Sequence, residues 1–600
     1  MLGGKNKDLL EIERLIEFKK FQEALHKLDD FEKKGDLSKE ENLRLDILKT
    51  SLTKEFGQWE EGLELIEQIV EESKVITNKL VFLDALIVKA EYLMDIEKYD
   101  NVIAITDTGI GITEKEDATN KEYLIRKAYF LAYKGLSKTY KGEHNTAQEM
   151  IGQAFVLSKE VNNDNLVINL YRINQINEAT RGELKKGLNQ LFKALECSIR
   201  IKNDLVSAII YAEIAENYHF MGKFKQGLEY IEKAMKIYKK HDFPTLEIDL
   251  LKAFNYYSSG QIKESFEIYK RILPQLEEIH RNFPRELGFY FWCKAMVEYY
   301  EGNLDNAIEL TEEAYNISLE LGNRYLIMAY ESLLSLLLLD SNQIERALDL
   351  SLASLEDYKD LNFLTYKSLN YETLGRIFHI RGEYKLAIEY LERSLQLRNE
   401  LGMIFQAIRT LFHLLNAAID KNDDELSIKC LTEIEELHNK EPRESQEQFC
   451  HISKALVLKA SNLHKNWKIA IDELADIAEE EVQYYPLKVT ALINLCELLM
   501  NEFSSSRNLE VLEKLEENTK KLEKIANSQK QTSYILRIEA KNIQLLTIWL
   551  KAQYFKDEVN LKKTQKLLEE ARIVADKEGL IRLVHKLTQQ QEKLYEQLTQ

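Results

Sequence analysis

The stretch that decides the fold is GKFKQG at residues 222–227, where a glycine is followed by an aromatic residue two positions later and by a second glycine five positions later. Variants of this stretch recur along the 600-residue chain. Consecutive copies begin at residues 142, 182, 222, 260, 302, 342, 382 and 422, at intervals of 40, 40, 38, 42, 40, 40 and 40 residues, and further copies begin at residues 19, 57, 97 and 465. A fixed period of this length indicates one repeated structural unit.

Small side chains occupy regular positions around the first residue of each copy, which we call its anchor. Almost every copy has Gly, Ala or Ser five residues after the anchor, and most middle copies also have a small residue seven before and twelve after it. Small residues at these spacings on both sides of a turn let two antiparallel helices approach closely. Each repeat is therefore predicted to consist of a helix A, a tight turn and a helix B.

The composition agrees with an all-α protein. Hydrophobic residues make up 45% of the chain, enough for a large core, whereas only 5 prolines and 22 glycines are present, and strand-rich folds need more turn residues. Four of the prolines fall just ahead of a predicted helix A, where a first-turn proline loses no hydrogen bond. The fifth, Pro274, lies inside a predicted helix B, so a kink or a break is expected there.

The G-x-[aromatic]-x-x-A pattern and the small residues around the turn resemble the tetratricopeptide repeat (TPR) family, in a variant longer than the usual 34 residues. The resemblance implies an all-α, right-handed superhelical solenoid of about 13 to 14 antiparallel helix hairpins, with helix A facing inward. We expect residues 1–502 to form this TPR-like solenoid. Residues 503–600 are expected to form degenerate C-terminal repeats and a capping helix that continue it.

Charge and cysteine content restrict the partners and the compartment. The net charge of −19 opposes binding to a nucleic acid backbone, although the last hundred residues carry 18 basic against 15 acidic side chains. The five cysteines are odd in number and include no CxxC pair, which favours a reducing, cytoplasmic location over a disulfide framework. The longest apolar stretch, residues 333–339, is far shorter than the roughly 18 residues of a membrane span, so no membrane association is expected.

Catalytic and cofactor motifs are poorly supported. The sequence contains no GxxxxGK[ST], HExxH or GxSxG motif. The run Thr108–Thr113 has Glu114 where a dinucleotide-binding loop needs its third glycine. Cys450 and His451 would point about 100° apart on a helix and could not readily share a metal ion. The sequence therefore predicts a protein that is not an enzyme and holds no cofactor or metal.

A candidate peptide groove follows from the resemblance, because the inward positions of helix A in the family lie thirteen, ten, six, three and two residues before each anchor. Counting back from the anchors at 260 and 302 gives an aromatic cluster, and neighbouring repeats add a few polar groups. The predicted groove residues are Phe254, Tyr257, Phe289, Trp292, Met296, Tyr299, Tyr300, His219, Arg376 and His379. Rigid aromatic side chains beside polar groups suit peptide binding. Alternatively, the aromatic residues fill the seam between stacked helices.

The predicted function is that of a non-catalytic interaction scaffold or adaptor, which binds a peptide or a partner protein on the concave helix-A face. An alternative is a peptide-responsive regulatory sensor whose superhelix changes shape on binding and acts on an effector in trans. The two differ in whether a bound peptide changes the dimensions of the molecule. The sequence does not identify the partner or the oligomeric state.

Overall fold

The chain is described here from a computed structural model. The described residues are 6–17, 21–33, 37–53, 59–96, 98–116, 119–243, 245–279, 284–301, 303–321, 324–359, 364–440, 442, 444–461, 464–479, 485–528, 534–577 and 580–599. Within these ranges the chain forms 29 α-helices and no strand, which confirms the all-α prediction.

The helices follow one another with short connections. In chain order they are α1 (Lys7–Glu17), α2 (Phe21–Glu32), α3 (Lys39–Thr53), α4 (Trp59–Ser73), α5 (Lys79–Asp95), α6 (Tyr99–Thr113), α7 (Lys121–Tyr140), α8 (His144–Val161), α9 (Asp164–Thr180), α10 (Leu184–Arg200), α11 (Asp204–Phe220), α12 (Phe224–Lys240), α13 (Leu246–Ser258), α14 (Ile262–Ile279), α15 (Pro284–Glu301), α16 (Leu304–Leu321), α17 (Arg324–Asp340), α18 (Ile344–Asp357), α19 (Leu364–Ile380), α20 (Tyr384–Leu401), α21 (Ile404–Lys421), α22 (Asp424–Lys440), α23 (Glu444–Ala460), α24 (His464–Glu479), α25 (Tyr485–Ser506), α26 (Leu509–Ser528), α27 (Tyr534–Tyr554), α28 (Glu558–Lys577) and α29 (Ile581–Thr599).

Each odd-numbered helix from α1 to α27 packs against the even-numbered helix that follows it, and each such hairpin packs against the next. The odd-numbered helices are the predicted A helices, and they also contact one another along the stack. A hairpin buries its apolar face only by stacking on its neighbours, so the fold is a helical solenoid, as predicted. Helix α29 follows the last hairpin. None of the helices, over the part of the chain that the structure describes, is apolar and long enough to cross a bilayer.

Seven of the anchors, at 142, 182, 222, 260, 342, 382 and 422, lie in the turn between helix A and helix B, where the backbone is left-handed. Gly142, Gly182 and Gly222 have φ angles of 79°, 81° and 69°, and Asn422 takes the same conformation with a φ of 61°. This region strains most L residues but accommodates Gly readily and Asn more easily than others. The repeated glycine of the sequence is therefore a conformational requirement of the turn. The anchors at 19, 57, 97 and 302 lie outside the described residues, and the last anchor, Lys465, lies in the first turn of α24.

The small residue five positions after the anchor lies where the two helices of a hairpin touch. At Gly187 an added Cβ atom would lie 3.3 Å from the carbonyl oxygen of Gln175, which is tighter than most real contacts. Ala147 and Ala387, at the same position in other repeats, are fully buried. The backbones thus approach closely enough to exclude a larger side chain, as the small-residue pattern predicts.

Pro274 does not break its helix, because α14 runs without interruption from Ile262 to Ile279. Pro274 and Lys270 are both exposed. Pro274 has no N–H to donate to the carbonyl group of Lys270 one turn earlier, and the helix continues without this bond. The sequence predicted a kink or a break at Pro274, and the prediction of a break is wrong.

Parts of the solenoid that are distant in sequence touch one another. The side chain of Gln406 donates a hydrogen bond of 2.8 Å to the carbonyl oxygen of Ser258, 148 residues earlier. The aromatic rings of Phe21 and Phe243 lie 6.4 Å apart between centroids. The anchor Gly222 is packed directly against the carbonyl group of Leu401. The stack of hairpins thus winds back onto itself and encloses space on its inner side.

Candidate functional site

A cavity of about 590 Å³ lies inside the solenoid. Its wall is built by eight successive A helices, α7, α9, α11, α13, α15, α17, α19 and α21, with contributions from the adjoining turns and from the ends of the B helices α8, α10 and α20. Helix A therefore forms the inner surface of this part of the stack. The volume lies within the range of about 300 to 1,000 Å³ that is usual for ligand pockets.

Aromatic side chains of α13 and α15 form one part of the wall. The rings of Phe254 and Trp292 meet edge to face, with 4.7 Å between their centroids, and both line the cavity. Trp292 also contacts the buried ring of Tyr269 on α14 at 5.7 Å. The two interpretations that the sequence left open are thus compatible, since these residues pack in the seam between helices and border the cavity as well.

A buried ion cluster lies behind another part of the wall. Arg398 and Arg409 line the cavity, and both pair with the carboxylate of Glu372, Arg409 at 2.8 Å. Burial alone would raise the pKa of Glu372, but the positive charges of Arg398 and Arg409 outweigh burial and hold the pKa well below its usual range. Glu372 therefore stays ionised and fixes the two guanidinium groups in the wall.

The acidic side of the wall is neutralised in a similar way. Glu213 on α11 lines the cavity, and Arg172 on α9 donates from Nε to its Oε2 at 3.0 Å and from Nη2 to its Oε1 at 2.6 Å. Such a bidentate pair holds both side chains in one orientation. Much of the charge at the wall is thus compensated within the protein.

Two polar side chains of the cavity wall could contact a ligand. Oε1 of Gln406 on α21 is buried without a hydrogen-bond partner among the described residues, and His219 on α11 lies at the wall with Asn255 as a polar neighbour. Burial lowers the pKa of His219 to about 4, so its imidazole is neutral at physiological pH and can donate or accept a hydrogen bond. Buried polar atoms are seldom left without a partner, which makes Oε1 of Gln406 a candidate for contact with a ligand.

Six of the ten residues predicted for the groove line this cavity, and their role in binding stays a prediction. These six are His219, Phe254, Tyr257, Phe289, Trp292 and Met296. Three others lie elsewhere on their helices and do not line it. The hydroxyl group of Tyr299 donates to Asp340 at 3.0 Å, Arg376 pairs with the same carboxylate at 2.7 Å, and His379 contacts Asp420 at 2.8 Å.

The side chain of Tyr300, the tenth predicted residue, lies outside the described residues.

The cavity crosses the A helices diagonally, which explains why some of the predicted residues line it and others do not. In the repeats anchored at 142 and 182 it is lined by the last turn of helix A, including Thr139 and Ala179, three residues before the anchors. In later repeats it is lined by the first half of helix A, including Ala329, Leu369 and Arg409, thirteen residues before the anchors at 342, 382 and 422. Sequence reasoning missed these five residues because it followed the aromatic cluster. The same counting rule, applied to every repeat, finds them.

No protein-family model matches the sequence, and no curated protein matches it. Several solved structures are similar in fold. The Rap protein complexed with competence and sporulation factor matches with a TM-score of 0.43 at 11% identity, over 60% of this chain and 98% of that chain. For aspartyl phosphate phosphatase F from Bacillus subtilis the TM-score is 0.38 at 15% identity, over 61% of this chain and 95% of that chain.

The APC/C hetero-tetramer Cut9-Hcn1 matches with a TM-score of 0.35 at 13% identity and covers 81% of this chain and 96% of that chain. Similarity at these levels concerns the helical-repeat architecture and says nothing about ligand or activity. The hairpin stack, the 40-residue spacing of the anchors and their left-handed turns are features of this chain itself. The chain is a TPR-like helical repeat protein.

Proposed function

We propose that this protein is a non-catalytic interaction protein that binds a short peptide segment of a partner in the enclosed cavity. One observation supports this most directly. Gln406 Oε1 is buried without a hydrogen-bond partner among the described residues, His219 places a neutral imidazole at the same wall, and the cavity that they line also carries Phe254 and Trp292. A peptide supplies both kinds of contact, because its backbone offers hydrogen-bonding groups and its side chains offer apolar area.

The charges of the wall also suit a peptide better than a nucleic acid. Arg398 and Arg409 are paired with Glu372, and Arg172 neutralises Glu213. The carboxylate of Glu216 also lines the wall, where it would repel a phosphate backbone, and the net charge of −19 opposes such a ligand at long range. The proposal includes a protein or peptide partner, no nucleic acid and no catalytic step.

A display library of linear heptapeptides, selected against the full chain, tests the proposal. Peptides recovered from the library should bind at least about tenfold more weakly to the Trp292→Ala and Phe254→Ala variants, because each variant removes aromatic area from the wall. The matched control is Phe555→Ala, since Phe555 is 59% exposed and does not line the cavity. Recovered peptides that bind all three variants as they bind the wild type would contradict binding in the cavity.

A second candidate function is that of a sensor acting in trans, and one contact favours it. Gln406 lines the cavity with its side chain and bonds across to Ser258 on a hairpin far away in sequence. A ligand that binds Oε1 of Gln406 would reorient the same side-chain amide that makes this bond through its nitrogen, and so bias the pitch of the solenoid. A recovered peptide should then change the radius of gyration in X-ray scattering. An unchanged radius of gyration at a saturating peptide concentration would contradict the sensor function and leave only the scaffold function.

A further inference from the structure

A second surface, separate from the cavity, holds helix α29. This helix follows the hairpin of α27 and α28 and packs on the A helices α19 and α27 as well as on α28. Its apolar side is anchored by Leu583 and Leu587, and Leu580 just before it adds to the same side. All three leucines are buried in one cluster with Leu337 and Ile377 of the A helices α17 and α19.

The polar side of α29 pairs with acidic residues of the A helices. Arg582 pairs with Asp420 on α21. Lys586, four residues later and therefore on the same side of the helix, lies 2.9 Å from Glu497 on α25 and 3.1 Å from Glu539 on α27. Basic residues spaced by one helical turn thus match a row of carboxylates that extends over several hairpins.

Gln590 extends this row by another turn. Its side-chain nitrogen donates to Glu497 at 2.9 Å, and its side-chain oxygen accepts from Asn542 on α27 at 2.8 Å. One polar stripe of the solenoid is therefore contacted by three side chains of α29 at positions i, i+4 and i+8, namely Arg582, Lys586 and Gln590. The match is specific in both position and chemistry.

The charges of this surface need α29 for their balance. Asp420, Glu497 and Glu539 contribute three carboxylates. Among the described residues outside α29, one ammonium group contacts these carboxylates: that of Lys459 on α23, which pairs with Glu497. His379 contacts Asp420, but burial lowers the pKa of His379, so it adds no full charge at neutral pH. The two cations of α29 then neutralise the remaining excess of two negative charges.

We infer that this acidic inner surface is a helix-binding groove, that α29 is its intramolecular occupant, and that a basic amphipathic helix of a partner protein exchanges with α29. A bare groove would leave partly buried carboxylates without counter-charges, which is costly. An exchanging helix must therefore bring cations at i and i+4 and leucines at i+1 and i+5, as Arg582, Lys586, Leu583 and Leu587 do. Helix-in-groove binding of this kind uses one apolar face with flanking charges.

A trans-binding experiment on the full chain tests the inference. The probe is a labelled peptide with the sequence of residues 580–599, and fluorescence anisotropy measures its binding. The variant Arg582→Glu/Lys586→Glu places like charges against the acidic row and should release α29, so it is expected to bind the probe at least tenfold more tightly than the wild type does. The matched control is Lys566→Glu/Arg572→Glu, a double charge reversal on the exposed side of α28. It should bind the probe as the wild type does.

The chemistry of the groove is tested with a second peptide that carries the same two charge reversals as the variant. It should bind the released chain at least tenfold more weakly than the native sequence. Equal binding of the two peptides, or equal binding of the probe by the variant and the wild type, would overturn the inference. Dimerisation of the variant without peptide would also overturn it, because a second copy would then be the occupant.

Hydrogen exchange on the wild-type chain covers the case in which the variant does not fold. An excess of the native-sequence peptide should compete α29 out of the groove and speed amide exchange over residues 581–599. The charge-reversed peptide serves as the control and should leave exchange unchanged. Unaltered exchange with both peptides would overturn the proposed exchange of helices.

Discussion

Gln406 on α21 donates a hydrogen bond of 2.8 Å from its side-chain nitrogen to the backbone carbonyl oxygen of Ser258 at the end of α13. The two residues are 148 positions apart and belong to hairpins that are not neighbours in the stack. Contacts between neighbouring hairpins set local packing, whereas this bond joins two points on the path of the superhelix. It lies at the wall of the cavity, so the closure of the solenoid and the shape of the candidate site depend on the same residue.

Replacing Gln406 with leucine should loosen this closure. The variant loses one intramolecular hydrogen bond, worth about 1 kcal/mol in net stability, and leaves the Ser258 carbonyl group without this donor. The expected result is a larger radius of gyration in X-ray scattering with unchanged helix content in circular dichroism. Gln396→Leu is the control, because Gln396 is exposed and bonds only one turn away, to Glu400. An identical radius in both variants would show that the bond does not hold the solenoid closed.

A larger loss of stability is expected from an alanine substitution at Gly222, the anchor that packs against Leu401. An added Cβ atom would overlap the carbonyl oxygen of Leu401, whereas at Gly402, which has the same φ of 69°, an added Cβ atom meets nothing within 4 Å. Both alanine variants incur the left-handed strain of about 1 to 2 kcal/mol. Gly222→Ala should lose a further 1 to 3 kcal/mol, roughly the usual effect of overpacking. Urea unfolding measures the difference, and equal losses would contradict this contact.

The hairpin unit was predictable because its causes are local. Gly142 and Gly182 mark a backbone conformation that few other residues adopt, and Ala147 and Gly187 mark a close helix contact within one hairpin. Each feature repeats with the period of the unit, so the sequence alone reveals it. The fold class and the order of helix A, turn and helix B follow directly.

The path of the superhelix was not predictable in the same way. It depends on small angles between successive hairpins, which add up along the stack and leave no short motif. Counting from the anchors therefore placed Trp292 and Phe254 correctly on the inner side but could not tell that Arg376 and His379 lie away from the cavity. The pairing of Arg582 with Asp420, 162 residues apart, is invisible for the same reason.

The buried pair of Glu372 and Arg398 should matter more for stability than any surface pair. Glu372→Gln keeps the shape of the side chain but leaves the guanidinium groups of Arg398 and Arg409 without their counter-charge, and removing one partner of a buried ion pair costs about 3 to 5 kcal/mol. The control is Glu389→Gln, which breaks the half-exposed pair with Arg393 and should cost no more than about 0.5 kcal/mol. Urea unfolding of both variants provides the comparison, and similar midpoints would contradict the role assigned to Glu372.

His219 should make the stability of the protein depend on pH. Burial among aromatic rings, including those of Phe224 and Phe254, lowers the pKa of His219 from 6.5 to about 4. Between these two values the unfolded chain binds a proton at this residue and the folded chain does not, so stability falls as the pH decreases from 6.5 towards 4. Because the imidazole borders the cavity, the loss is expected to be on the order of 2 kcal/mol, less than full burial would give.

The variant His219→Gln removes the titrating group and keeps a polar side chain at the cavity wall. Its free energy of unfolding should therefore change less between pH 7.5 and pH 4.5 than that of the wild type, by on the order of 2 kcal/mol. Urea unfolding at the two pH values gives this double difference, and the value at pH 7.5 reports separately any loss of packing. A bound peptide that accepts a hydrogen bond from the protonated ring would raise the pKa of His219 and reduce the loss at pH 4.5. Equal pH dependence of the wild type and the variant would mean that the imidazole is hydrated or charged in the folded protein, and the proposed hydrogen bond from neutral His219 to a peptide would then lose its basis.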